Sequence, residues 1–136
     1  MTLVVTSGYF DPLHVGHIKH FLAAKALGDK HIVILNSDEN CKAKKGYVFM
    51  PFEEKLEIIK NLRCVDMVVK CIDIDGSCAK TLECVHPDIF AKGGDRNIDN
   101  IPESERMVCK RLGIKVVNAV GGEKIQSSSK LVEGVK

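Results

Sequence analysis

The stretch LVVTSGYFDPLHVGH, residues 3–17, decides the fold. Leu3-Val4-Val5-Thr6 is a short apolar run rich in β-branched residues, the pattern of a buried strand, and Ser7-Gly8 stops it. A helix is expected to start at His14 or Val15 and end at Leu27, with Gly28 as its C-terminal stop. Its inner face would be Ile18, Phe21, Leu22 and Ala26, which fall at helical spacing. A buried strand that feeds a helix through a glycine-containing turn is the opening unit of a parallel α/β sheet.

The same alternation runs outward to the end of the chain. His31 to Leu35 reads as a second strand, followed by a polar loop from Asn36 to about Met50 that carries Lys42, Lys44 and Lys45. Pro51 opens a helix whose buried face is Phe52, Leu56 and Ile59. Met67-Val68-Val69 is a third strand, and Ser77 is expected to cap a helix reaching Val85. Ile89-Phe90-Ala91 is a fourth strand that ends in the turn Gly93-Gly94. Pro102 to Leu112 is helical with Gly113 as stop, Val116-Val117 is a fifth strand, and Ser127 opens a final short helix. The expected architecture is one doubly wound, Rossmann-like α/β domain over residues 1–136, with a five-stranded parallel sheet and helices on both faces.

Composition narrows the partners. The chain has 136 residues, with 20 basic and 18 acidic side chains and a net charge of +2. That balance gives no broad electrostatic footprint for nucleic acid or an anionic membrane, so an anion would be held by a local cluster. No run approaches the roughly 20 apolar residues that span a bilayer, and no secretory apolar segment opens the chain. The 6 cysteines include no Cys-x-x-Cys pair. They read as small core residues of a protein in a reducing compartment, which points to the cytoplasm.

In such a sheet ligands bind beyond the carboxyl ends of the strands, where the Ser7–His17 segment falls. Gly8 lets the chain leave the strand tightly, and Pro12 stiffens the approach to the helix. The unpaired amides and positive dipole end of that helix favour phosphate. His14 and His17 lie three apart and face the same side of its first turn, with Gly16 leaving room for a ligand. The segment lacks both the Gly-x-Gly-x-x-Gly spacing of dinucleotide folds and the Gly-Lys-Ser/Thr ending of P-loops. No protein-built metal site is expected, because His14, His17 and His20 drift around the helix and no carboxylate completes the set.

The segment does match the Gly-x-Phe-Asp-x-x-His-x-Gly-His motif of the nucleotidyltransferase superfamily. Asn36-Ser37-Asp38, Arg63-Cys64-Val65-Asp66, Lys92-Gly93-Gly94-Asp95 and Ser127-Ser128-Ser129 follow in that superfamily's order. The chain resembles its cytidylyltransferase-like group, which includes glycerol-3-phosphate cytidylyltransferases and the adenylyltransferase domain acting on heptose phosphate. The resemblance implies transfer of AMP or CMP from ATP or CTP to a phosphorylated small molecule. Pyrophosphate leaves, and Mg²⁺ accompanies the triphosphate. It implies His14, His17 and Lys45 as catalytic groups. Nucleotide contacts would come from Ser7, Gly8, Tyr9, Phe10, Gly16, Gly93, Gly94, Asp95, Arg96, Ser127, Ser128 and Ser129. Asp11, Lys42, Lys44, Lys45 and Arg63 would serve the acceptor. The resemblance also implies a homodimer. The stretch Gly121-Gly122-Glu123-Lys124 lacks the arginine that glycerol-phosphate enzymes carry before the serine run, which leaves the base open. A nucleotide sensor without turnover is the alternative from another functional class.

Overall fold

The computed structural model describes residues 1–93, 101–118 and 120–121. Strands β1 (Leu3–Gly8), β2 (Lys30–Leu35), β3 (Met67–Lys70), β4 (Ile89–Ala91) and β5 (Lys115–Val117) form one parallel sheet in the order β3-β2-β1-β4-β5. Helices α1 (Val15–Lys25), α2 (Asp38–Lys45), α3 (Phe52–Lys60), α4 (Ala79–Val85) and α5 (Glu103–Leu112) occupy the connections. The strand order reverses between β1 and β4, so the crevice at their carboxyl ends is where a doubly wound sheet binds its ligand.

Period-two alternation along the strands divides the core between two faces. Val5, Ile34 and Phe90 pack with Leu82 of α4 and Cys109 of α5 on one side. Val33 and Leu35 pack with Phe21 of α1 and Ile59 of α3 on the other. His31 is buried on this second side, where its Nδ1 bonds the Cys64 carbonyl at 2.8 Å and its Nε2 lies 2.8 Å from Thr6 Oγ1. Nδ1 must carry the proton to donate to a carbonyl, so Nε2 accepts from the Thr6 hydroxyl.

Three local expectations differ from the structure. Residues 38–45 are helix α2, not loop: Ser37 Oγ accepts the Asn40 amide at 3.1 Å and Gly46, at φ 86°, closes the helix. Acidic residues begin α2 and lysines end it, which suits the dipole; its lack of an apolar stripe hid it. Helix α1 ends at Lys25, and Gly28 is needed for close approach instead, since a Cβ there would meet Val4 Cγ2 at 2.7 Å. Its buried residues are Phe21 and Ala24, while Leu22 is 54% exposed and Ala26 is also exposed. Ser77 is not the main cap of α4: Asp73 accepts the Lys80 and Thr81 amides at 2.8 and 3.1 Å, against 3.4 Å for Ala79 to Ser77 Oγ.

Candidate active site

The β1–α1 turn is built on Phe10. This residue takes a left-handed φ of 49° and buries its ring edge-on against His17 and Phe21, at 4.9 and 5.1 Å between centroids. A Cβ on Gly8 would stand 2.9 Å from that ring, so glycine is required there by packing of the motif's own aromatic side chain.

His14 is the N-cap of α1, and its Nδ1 accepts the Gly16 amide at 3.1 Å. His17 Nδ1 accepts the His14 amide at 3.1 Å, so the two residues cap each other. Their rings stack with centroids 3.8 Å apart. Because both Nδ1 atoms accept, each neutral imidazole carries its proton on Nε2. The sequence therefore sets two Nε2–H donors side by side at a helix start, where the backbone already favours an anion.

Asp11 fixes this turn from below. Its carboxylate is 0% exposed and accepts the amides of Phe49, at 2.8 Å, and Met50, together with the Cys41 thiol at 3.4 Å. The turn is thereby fastened to the segment between α2 and α3. Burial pushes the Cys41 thiol above its ordinary value, and the Asp11 charge adds to the rise. Lysines hold the same turn by its backbone. Lys45 Nζ donates to the Asp11 carbonyl at 2.8 Å, and Lys44 Nζ lies 4.8 Å over the Tyr9 ring. Lys55, 0% exposed, donates to the Tyr9 carbonyl at 3.0 Å and stands 3.9 Å from Asp11 Oδ1.

Lys55 was not anticipated, although its position carried a signal. It falls on the same helical face as Phe52, Leu56 and Ile59, so a lysine there must be buried and find a partner. Of the anticipated residues, the structure brings Gly8, Tyr9, Phe10, Asp11, His14, Gly16, His17, Lys44 and Lys45 to one turn. Ser7 lies in the last two residues of β1 beside it, Gly93 follows β4 across the switch point, and Lys42 is exposed on α2. Arg63 lies elsewhere: it is exposed in the turn before β3, at the amino ends of the strands. Gly94, Asp95, Arg96, Ser127, Ser128, Ser129 and the final short helix fall outside the described residues. No helix among the described residues is long and apolar enough to cross a membrane.

A parallel sheet with a histidine-capped, lysine-braced turn at its switch point defines a nucleotide-handling α/β protein. Residues 5–133 match the cytidylyltransferase-like family, and the chain belongs to it; it is a nucleotidyltransferase. It is 35% identical over 135 residues to the bifunctional protein HldE of Citrifermentans bemidjiense, covering 98% of this chain and 27% of that one. It is 32% identical over 136 residues to HldE of Proteus mirabilis, covering 98% and 28%. The chain thus spans about a quarter of the length of these curated relatives. A lipopolysaccharide core biosynthesis protein from Thermoplasma volcanium superposes with TM-score 0.72 at 30% identity, over 87% of this chain and 95% of that one. A protein of unknown function from Archaeoglobus fulgidus shares the fold, with TM-score 0.61 at 21% identity over 87% and 88% of the two chains.

Proposed function

We propose that this chain transfers a nucleotidyl group, AMP or CMP, from ATP or CTP to a sugar phosphate or related phosphorylated alcohol. The observation that carries this reading is the mutual capping of His14 and His17, which sets both Nε2–H donors at the start of α1. An oxygen of the acceptor's phosphate attacks the α-phosphorus in line; the new P–O bond forms as the α–β bridge breaks, and pyrophosphate departs. No covalent enzyme intermediate is required, so catalysis is positioning plus stabilisation of the charge on the phosphate oxygens. His17 and His14 donate to those oxygens, and the lysines of α2 keep the turn in place while adding positive charge.

In this reading magnesium enters bound to the nucleotide triphosphate. Asp11, the motif's carboxylate, is turned toward the protein, where two amides, a thiol and the nearby Lys55 ammonium engage it. Bound through the phosphates, Mg²⁺ would supply charge neutralisation. The family kinship and the HldE relatives favour a sugar phosphate, heptose phosphate above all, as acceptor.

The test is magnesium-dependent pyrophosphate release with ATP and CTP against heptose 1-phosphate, other sugar 1-phosphates, glycerol 3-phosphate and flavin mononucleotide. Release that needs one acceptor and falls about 100- to 1000-fold in His17→Ala is the expected result. Nucleotide binding without release from any pair would favour a sensor, and release indifferent to His17→Ala would remove the histidine mechanism.

A further inference from the structure

Lys55 is a buried charge that the transfer mechanism does not use. It sits in the middle of α3, on the face shared with Phe52, Leu56 and Ile59, and is 0% exposed. An apolar side chain would fill that position without the cost of burying an ammonium. What the lysine adds is one directed bond. Its Nζ donates to the Tyr9 carbonyl at 3.0 Å, while Asp11 Oδ1, 3.9 Å away, balances the charge.

The Tyr9 carbonyl belongs to the peptide plane on the amino side of Phe10, so a bond to it holds the plane from which the φ of Phe10 is measured. On the other side Asp11 is held twice, at its carbonyl by Lys45 Nζ at 2.8 Å and at its carboxylate by the Phe49 and Met50 amides. Phe10 between them stands at φ 49°, a conformation that a bulky residue keeps only where its surroundings over-determine it. The ring placed in this way is buried and meets His17 edge-on, with centroids 4.9 Å apart and planes at 86°. His14 stacks on the same imidazole, with planes at 26°. The His17 ring is therefore held by its own bond to the His14 amide, by the His14 ring and by the Phe10 ring.

We propose that Lys55 is a positioning residue for His17: by holding the Tyr9 carbonyl it keeps Phe10 left-handed, and the Phe10 ring then fixes the imidazole. The proposal rests on the nucleotidyl-transfer reading, in which the His17 Nε2–H stabilises charge on the phosphate oxygens. Out of solvent, the Lys55 ammonium acts through Tyr9 and Phe10 and not on the phosphates.

The experiment is a cycle of wild type, Lys55→Met, His17→Ala and the double variant, with kcat and both KM values measured on each. Lys55→Met keeps the length of the side chain and removes the donor. Its kcat is expected to fall about 10- to 100-fold with both KM values little changed, because His17 acts mainly in the transition state. In the His17→Ala background the same substitution should change kcat by less than about 3-fold, since the group it positions is gone. An equal fold-loss in both backgrounds would overturn the positioning role and leave the transfer reading intact. Should Lys55→Met fail to fold, Phe10→Leu takes its place in the cycle, keeping apolar bulk and removing the ring; wild-type turnover in that variant would overturn the proposal. Nuclear Overhauser contacts between the Phe10 and His17 rings give a readout that needs no turnover, and Lys55→Met is expected to lose them. Wild type that binds nucleotide without turnover would end the transfer reading, and ring contacts unchanged in Lys55→Met would end the positioning role.

Discussion

The two edges of the sheet use the same device in different surroundings. At the amino edge, Asp29, Asp66 and Asp88 accept the amides of Thr2, His31 and Leu3 at 2.7, 2.8 and 2.8 Å, and all three are solvent-exposed. At the carboxyl edge, Asp11, Asp73 and Glu105 accept loop and helix-start amides in the same way, and all three are buried. Two of these buried carboxylates have a buried lysine beside them, Lys55 and Lys92. A carboxylate in water holds an amide with a net gain that the solvent largely offsets. Out of water the same bond is nearly obligatory, because breaking it leaves a charge and a donor unsatisfied. The carboxyl edge is thereby rigid where the phosphate-handling turn sits, and the amino edge tolerates change.

The largest effect on stability is expected at Asp11. In Asp11→Asn the side-chain amine would face one of the Phe49 or Met50 amides, and Lys55 would lose its nearby charge. A loss of about 2–4 kcal/mol should follow, read from the urea midpoint. Turnover should fall with it, since the turn that carries His14 and His17 is no longer fastened to the α2–α3 segment. A loss below about 1 kcal/mol would erase the distinction between the edges.

Much of this architecture was legible in the sequence, for identifiable reasons. Four of the five strands carry apolar runs bounded by Gly, Pro or charged residues, and β5 follows a glycine-stopped helix. Helix α2 was not legible, because only Asn40 and Cys41 are buried in it and period analysis needs an apolar stripe. At the site, the spacing of His14 and His17 placed both on one helical turn, but their exchange of caps is a three-dimensional fact. Lys55 falls on the buried face of its helix, but in sequence it stands in a charged run, Glu53-Glu54-Lys55, whose composition is that of a solvated face. Glu105 sits in a similar run, Glu103-Ser104-Glu105-Arg106, and pairs with a lysine on another element, a contact that only the fold creates.

A smaller effect spread over both edges should appear with pH. His20 and His31 are held below their ordinary value of 6.5, chiefly by burial. The unfolded chain then takes up protons near pH 6.5 that the folded chain refuses, so stability falls as pH drops below 6.5 and levels off under the folded-state values. At the other end Cys41, Cys64, Cys71, Cys78 and Cys109 are raised above 9.0, mainly by burial. Unfolding releases those protons above that pH, so stability falls again as pH rises. Urea midpoints should trace a plateau between these limits. A midpoint that holds constant from pH 7.5 down to about 5 would mean that the two histidines are not kept neutral by the fold.

The smallest effect belongs to the amino edge and completes the contrast with Asp11. Asp66 Oδ2 accepts both Lys25 Nζ, at 2.6 Å, and the His31 amide, at 2.8 Å, with a side chain 37% exposed. The Lys25 and His31 contacts hold its carboxyl below the usual range, yet water and salt reach the pair. Asp66→Asn retains an acceptor for the His31 amide and loses only the exposed ion pair. The urea midpoint should drop by no more than about 1 kcal/mol equivalent, and most of the difference should vanish in 1 M salt, where screening acts within about 3 Å. Asp11→Asn, whose partners lie out of reach of ions, should keep its full deficit in the same salt. Equal salt responses in the two variants would show that burial does not separate the edges.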